Sequence, residues 1–303
     1  MKEYDKYLKL LKEKSPTKQS VYRELINLNA IMNLPKGTEH FMSYLHGEYD
    51  AFYHIINNCS GVIREKVAML YGDELTVYEQ QELCTLIYYP REKLSILMDE
   101  NKVNDEWYRN VLNHLIQIAK LLSSKYTRSK VRKAMPVDFA YIIDELIHAQ
   151  KDEDDNRSVY HRQIMETILS LHNGDEFLVA LTDLIKRLAV DHLHILGDIY
   201  DRGSHADKIL DLLMEHHSVD IQWGNHDILW MGAFCGNPVC MALVVRNNIK
   251  YKTMSILENG YGISLRFLLQ FAVNTYSDKN VDDAVYKACL LYTSDAADDL
   301  IGV

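Results

Sequence analysis

What this 303-residue sequence lacks narrows its chemistry first. Its five cysteines, at 59, 84, 235, 240 and 289, show no paired zinc spacing, and its N-terminus carries no signal-peptide pattern. A reducing cytoplasm is therefore the expected home. No apolar run approaches the roughly twenty residues that a helix needs to cross a bilayer, so a soluble protein is expected. Positive charge is short as well: 33 Lys and Arg against 43 Asp and Glu give a net charge of -10. That balance argues against a nucleic-acid or anionic-membrane partner, while leaving room for a local basic pocket. No histidine occurs after His226.

What is present is a chain with material for a core. It is 48% hydrophobic and long enough for one large domain or two. Two short polar motifs stand out. Gly197-Asp198-Ile199-Tyr200-Asp201-Arg202-Gly203 follows the β-prone run His194-Ile195-Leu196, and Gly224-Asn225-His226-Asp227 follows Val219–Trp223, which also reads as a strand. Between them Ala206–His217 carries Ile209, Leu212 and Leu213 at helical spacing. A strand-helix-strand unit of this kind is a βαβ crossover, whose loops bring Asp198 and Asn225 to one rim of a parallel sheet, where α/β folds place ligands.

The residue types at that rim suit a metal-phosphate site. The Asp198 carboxylate can bridge two divalent ions, and the Asn225 amide oxygen completes a shell without adding charge. Gly197, Gly203 and Gly224 permit tight turns close to a bound anion, and Arg202 offers a planar fork for phosphate oxygens. His226 is not assigned by type alone, but a histidine there is well placed to protonate a leaving alkoxide, with Asp201 to orient it.

These two motifs resemble those of the calcineurin-like metallophosphoesterases. A third signature of that family, Asp-x-His-Gly, has its counterpart in Tyr44-Leu45-His46-Gly47. The surrounding string Leu34–Asp50, together with Ser60–Arg64, Tyr88-Tyr89-Pro90 and Lys125–Ala134, is similar to one branch, the class III fructose-1,6-bisphosphatases of Firmicutes-type bacteria. The resemblance runs from about residue 5 to about residue 288. It implies an α/β calcineurin-like sheet, partial and truncated in this chain, with a large helical insertion. It makes His46, Asp198 and Asn225 metal ligands, and His226, Asp201 and Arg202 catalytic. It also implies a binuclear Mn2+ centre, for which oxygen-rich ligands admit Mg2+. Where the family has a further Asp ligand this chain has Tyr44, and a phenol is a poor replacement for a carboxylate in such a site. Two downstream histidines that the family supplies to the second metal have no counterpart here.

Along the chain, residues 1–36 read as N-terminal helices broken at Pro16, suited to packing or to contact within a homo-oligomer. Residues 37–66 form the first part of the phosphoesterase core, with a strand over His40–Leu45 and a helix from near Tyr49. The 152 residues from His46 to Asp198 (198 minus 46) exceed what one crossover needs. Residues 67–177 are largely helical by period and are expected to form an inserted cap or subdomain. Residues 178–288 resume the core. The acidic run Asp152–Asp155 reads as a solvated loop. Within the insertion, Lys120, Lys125, Arg128, Lys130, Arg132 and Lys133 cluster. Most read as a solvated face, while Arg128, Lys130 and Arg132 are candidates to hold the second phosphate of a bisphosphate substrate.

The resemblance implies hydrolysis of the 1-phosphate of fructose 1,6-bisphosphate to fructose 6-phosphate and phosphate, a step of gluconeogenesis. Two readings stand beside it: another calcineurin-like phosphatase acting on phosphoprotein or dinucleoside polyphosphate, and a catalytically dead binding or regulatory homologue. Residues 289–303, with Leu291-Tyr292-Thr293-Ser294-Asp295-Ala296-Ala297-Asp298, resemble a translated sequencing adapter. They are expected to be a non-native tail on an inactive N-terminal fragment of the enzyme.

Overall fold

The computed structural model of the protein describes residues 2–149, 155–276 and 285. Helices α1 (Lys2–Lys14) and α2 (Lys18–Ile31) precede strand β1 (Glu39–Met42). Then come α3 (Tyr49–Asn58), α4 (Val62–Tyr71), α5 (Val77–Tyr88), α6 (Pro90–Asp99), α7 (Asp105–Ser123), α8 (Arg128–Ala134), α9 (Ala140–Ile147), α10 (Asp155–Ser170) and α11 (Gly174–Ala189). Strand β2 (His192–Ile195), α12 (Ala206–Glu215), β3 (Val219–Ile221), α13 (Asn225–Phe234), α14 (Pro238–Tyr251) and α15 (Arg266–Thr275) complete the order. Among the described residues the class is α/β, mostly helical, with a three-stranded parallel sheet of order β1-β2-β3. Most of the acidic run at 152–155 and the whole tail from 289 lie outside the described residues.

Local chemistry sets many of these boundaries. Thr17 and Thr76 close capping boxes with Ser20 and Glu79, which satisfies amide groups that the first helical turn leaves unpaired. Asn104 accepts the Trp107 amide at 2.8 Å ahead of α7, and Pro90 opens α6 where its missing N–H costs nothing. Strand β1 stops at Met42 and does not run to Leu45 as the sequence suggests. Tyr44 and His46 both take positive φ, 57° and 47°, which an extended strand cannot hold. Strand β2 begins two residues earlier than expected, at His192.

The packing divides into two compact units. One joins Met1–Gly37 to Asn104–Leu188; the other joins Thr38–Val103 to the residues from Ala189. Helices α5 and α6 lie in the unit that holds the sheet, with α5 packed on α3 and α4. In the first unit α7 buries Leu112, Leu115, Ile116, Ala119 and Leu122, one face at helical spacing. Truncating a side chain such as the fully buried Leu115 to Ala costs about 2–5 kcal/mol. Helix α2 buries none of its residues, and Leu10 and Ile26 are 63% and 71% exposed.

In the second unit Leu193 and Ile195 of β2 point into a core with Phe52, Ile199, Ile209 and Leu213. His192 and His194 alternate with them and therefore face the other side of the sheet. Among the described residues no helix is long and apolar enough to cross a membrane.

Candidate active site

The site is built in the second unit from three loops that leave the C-terminal ends of β1, β2 and β3. Backbone bonds lace the first two together. The His46 amide donates to the Asp198 carbonyl at 2.8 Å, Gly47 to Ile199 at 2.7 Å, and Gly203 back to His46 at 2.5 Å. Glycine is required where the loops touch. A Cβ on Gly203 would collide with the Gly47 backbone, and one on Gly224 would strike the amide and carboxylate of Asp198. The β2 and β3 loops are joined by a side chain to which the sequence reading attached no role. Asp227, 1% exposed, accepts the amides of Ile199 at 2.9 Å and Tyr200 at 3.1 Å on Oδ1, and that of Gly224 at 2.8 Å on Oδ2. The available signal was its position as third residue of α13, where a carboxylate caps the helix N-terminus.

Within this frame the polar side chains converge on Asp201, whose carboxylate is 3% exposed. Its Oδ1 lies 3.4 Å from Nδ1 of His226, and its Oδ2 lies 3.4 Å from Nε of Arg202 and 3.8 Å from Nδ1 of His46. His46 Nδ1 also lies 3.4 Å from the Tyr200 carbonyl. Arg202 remains mostly exposed, with its guanidinium 5.9 Å from the centre of the Tyr251 ring. Asn225 opens α13 with its side chain exposed, next to the glycine that abuts Asp198. Tyr44, 73% exposed, has its ring 5.7 Å from that of His46 and tilted to it. Tyr44, His46, Asp198 and Asp201 all take positive φ, a concentration of backbone strain in two short loops.

Beside the loops, Tyr200 stacks on Trp230 at 4.4 Å and shares a 2.6 Å hydrogen bond with the Tyr261 hydroxyl. Burial, and then the bond to Tyr261, push the Tyr200 phenol well above its ordinary range, so it stays protonated. This aromatic wall was not singled out from sequence, because Trp230 and Tyr261 are brought to Tyr200 by α13 and the segment after α14.

Do these residues fit a divalent ion? The Oδ1 of Asp201 faces His226 Nδ1 at 3.4 Å, whereas Asp198 buries its Oδ1 without a hydrogen-bond partner. A buried acceptor in that state costs about 1–3 kcal/mol, more when charged, unless a cation takes it up. By donor type, the imidazole of His46 and the amide oxygen of Asn225 are compatible with a divalent ion beside Asp198. The fit weakens at Tyr44, which brings no carboxylate.

The candidate phosphate residues lie in the other unit. Arg128 and Lys130 start α8, Lys130 sits 4.8 Å from the centre of the Tyr126 ring, and Arg132 Nε is 3.5 Å from Asp144 Oδ2. Arg128 lines a concavity of about 340 Å³ with Lys120, Ser123, Ser124, Tyr126 and His148.

Comparison with known proteins supplies a context for this geometry. The family model described as Firmicute fructose-1,6-bisphosphatase matches residues 6–296. A protein of Clostridium beijerinckii named fructose-1,6-bisphosphatase class 3 1 is 52% identical over 288 residues, which is 92% of this chain and 43% of that protein. Proteins named fructose-1,6-bisphosphatase class 3 from Listeria monocytogenes and Bacteroides fragilis are 54% and 50% identical over 273 residues. Those matches cover 90% of this chain and 42% and 41% of theirs. The chain thus spans less than half the length of these curated relatives. No solved structure matches it.

Proposed function

The chain belongs to the Firmicute fructose-1,6-bisphosphatase family, and from that premise we propose that its three loops serve hydrolysis of the 1-phosphate of fructose 1,6-bisphosphate. The products are fructose 6-phosphate and phosphate, a step of gluconeogenesis in the cytoplasm. The observation that carries the reading is the position of Asp201 among His46, Arg202 and His226, at the end of a parallel sheet.

In this reading the sheet is the beginning of a calcineurin-like phosphoesterase core. His46, Asp198 and Asn225 would hold Mn2+, or Mg2+, which would supply charge neutralisation and a more acidic water. The chain's own groups do the rest. Arg202 sits at the open rim, where its fork grips the phosphoryl oxygens. Asp201 sets the ring of His226, which delivers a proton to the departing sugar oxygen. The burial of Asp201 keeps competing water from that carboxylate, so its orienting effect on the imidazole is strong. Arg128, Lys130 and Arg132 are candidates for the second phosphate, and the exposed apolar residues of α1 and α2 suit a homo-oligomer.

One observation favours a second reading. Tyr44 occupies a strained position with no carboxylate to offer, which suits a scaffold that binds a sugar phosphate without turning it over. The two are separated by phosphate release from fructose 1,6-bisphosphate with Mn2+, compared with a phosphopeptide and a dinucleoside polyphosphate. Selective release from the sugar, lost in His226→Ala, supports hydrolysis. Binding without release supports the silent scaffold, and preference for the phosphopeptide overturns the choice of substrate.

A further inference from the structure

The face of the sheet opposite the Leu193 and Ile195 core carries a second polar cluster, outside the motif loops. Strand alternation puts His192 and His194 on that face, and the parallel register sets Asp220 of β3 directly beside His194. His194 Nδ1 lies 2.8 Å from Asp220 Oδ1, and His192 Nε2 lies 3.3 Å from Asp220 Oδ2. One ligand atom from each of the three residues can be chosen so that all lie within 4.8 Å of one another. From this geometry we propose a metal site at His192, His194 and Asp220 that takes a borderline transition ion of the Zn2+ class.

Donor spacing supports it. Two bonds of about 2.0–2.1 Å meeting at a tetrahedral angle place their donor atoms roughly 3.3 Å apart. His192 Nε2 already stands at that distance from Asp220 Oδ2, while His194 Nδ1 is 2.8 Å from the other oxygen, Oδ1, so a small turn of the carboxylate is needed to offer one oxygen to both rings. The remaining ring nitrogens are arranged as a metal site needs them. His192 Nδ1 is 2.6 Å from the Ser218 hydroxyl, which can accept its N–H and leave Nε2 with a free lone pair. His194 Nε2 is buried without a hydrogen-bond partner, 3.6 Å from Glu39 Oε2. A cation on Nδ1 would draw that N–H toward the carboxylate, the outer-shell arrangement seen behind metal-ligating imidazoles. Phe41 stacks on the His194 ring at 4.3 Å and fixes its plane.

Two imidazoles and one carboxylate select a borderline ion over Mg2+ or Ca2+, which prefer oxygen shells. Bound there, the ion would pin the edge strand β3 to the central strand β2.

The test is Zn2+ titration of the full 303-residue chain after removal of metal by a chelator. Calorimetry gives the stoichiometry, and the visible absorption of Co2+ serves as an independent report of ligand geometry. A His46→Ala/Asp198→Asn double variant is expected to retain one Zn2+. His192→Ala and His194→Ala are each expected to weaken that Zn2+ at least tenfold and to abolish the stabilisation that Zn2+ confers against heat. If an alanine variant does not fold by circular dichroism, His194→Gln decides the same question. Unchanged Zn2+ affinity in the folded His192 and His194 variants, or no Zn2+ in the double variant, would overturn the site and leave an ion-free cluster of histidine–carboxylate hydrogen bonds.

Discussion

The Asp227 carboxylate accepts the Ile199 amide at 2.9 Å across 28 residues of sequence, and so holds one motif loop against the other. The same carboxylate takes the amides of Tyr200 and Gly224, so a single buried side chain satisfies three donors. Asp227→Ala strands those donors and is expected to cost about 3 kcal/mol, read from urea unfolding. Asp227→Asn keeps one acceptor and turns an NH2 toward a donor, and so should fall between the two. A loss under about 1 kcal/mol for the alanine variant would show that the clamp is not what holds the loops.

Gly224→Ala tests the close approach of the same two loops. The added Cβ meets the Asp198 carboxylate and amide, which belong to a strained backbone and cannot move aside freely. Overpacking of this kind costs roughly 1–3 kcal/mol. Mn2+ binding should weaken along with stability, because the displaced group is the proposed ligand. A variant that folds and binds Mn2+ as tightly as the parent chain would argue against Asp198 as that ligand.

Tyr44→Asp should act in two ways that can be measured apart. At φ 57° an aspartate is far better tolerated than a tyrosine, so stability in EDTA should rise by about 1 kcal/mol. The new carboxylate beside His46 should also tighten Mn2+ binding, seen by calorimetry. A rise in stability with no change in Mn2+ affinity would confine Tyr44 to a backbone role.

Tyr71, buried in α4, makes an alkaline prediction. Burial, with a smaller contribution from Glu74, pushes its phenol from the ordinary 10 up to about 12. The folded state therefore keeps a proton that the unfolded state releases first. The stability associated with this group is fully present below about pH 10 and lost as pH rises through about 12. Tyr71→Phe should flatten the unfolding profile in that window. An unchanged alkaline slope would place the titration elsewhere.

Much of the site could be read along the chain because its signals are local. Gly-Asp and Gly-Asn motifs after short apolar runs report loops at strand ends, and the spacing of Leu112, Leu115, Ala119 and Leu122 reports a helix face, whatever the rest of the chain does. Strand ends were less legible, since the turn after β1 is held by bonds from His46 and Gly47 to Asp198 and Ile199, more than 150 residues away. The placing of α5 and α6 with the sheet likewise follows from packing and has no mark in composition.

By itself, then, the sequence determined the α/β class, the loops that carry the polar groups and the family. Only the tertiary structure decided that Asp201 stands among His46, Arg202 and His226, that Asp227 ties the loops together, and that His192, His194 and Asp220 share one face. The reason is physical: periodicity says which residues point the same way within one element, whereas distances between elements are set by strand register and by how closely backbones approach.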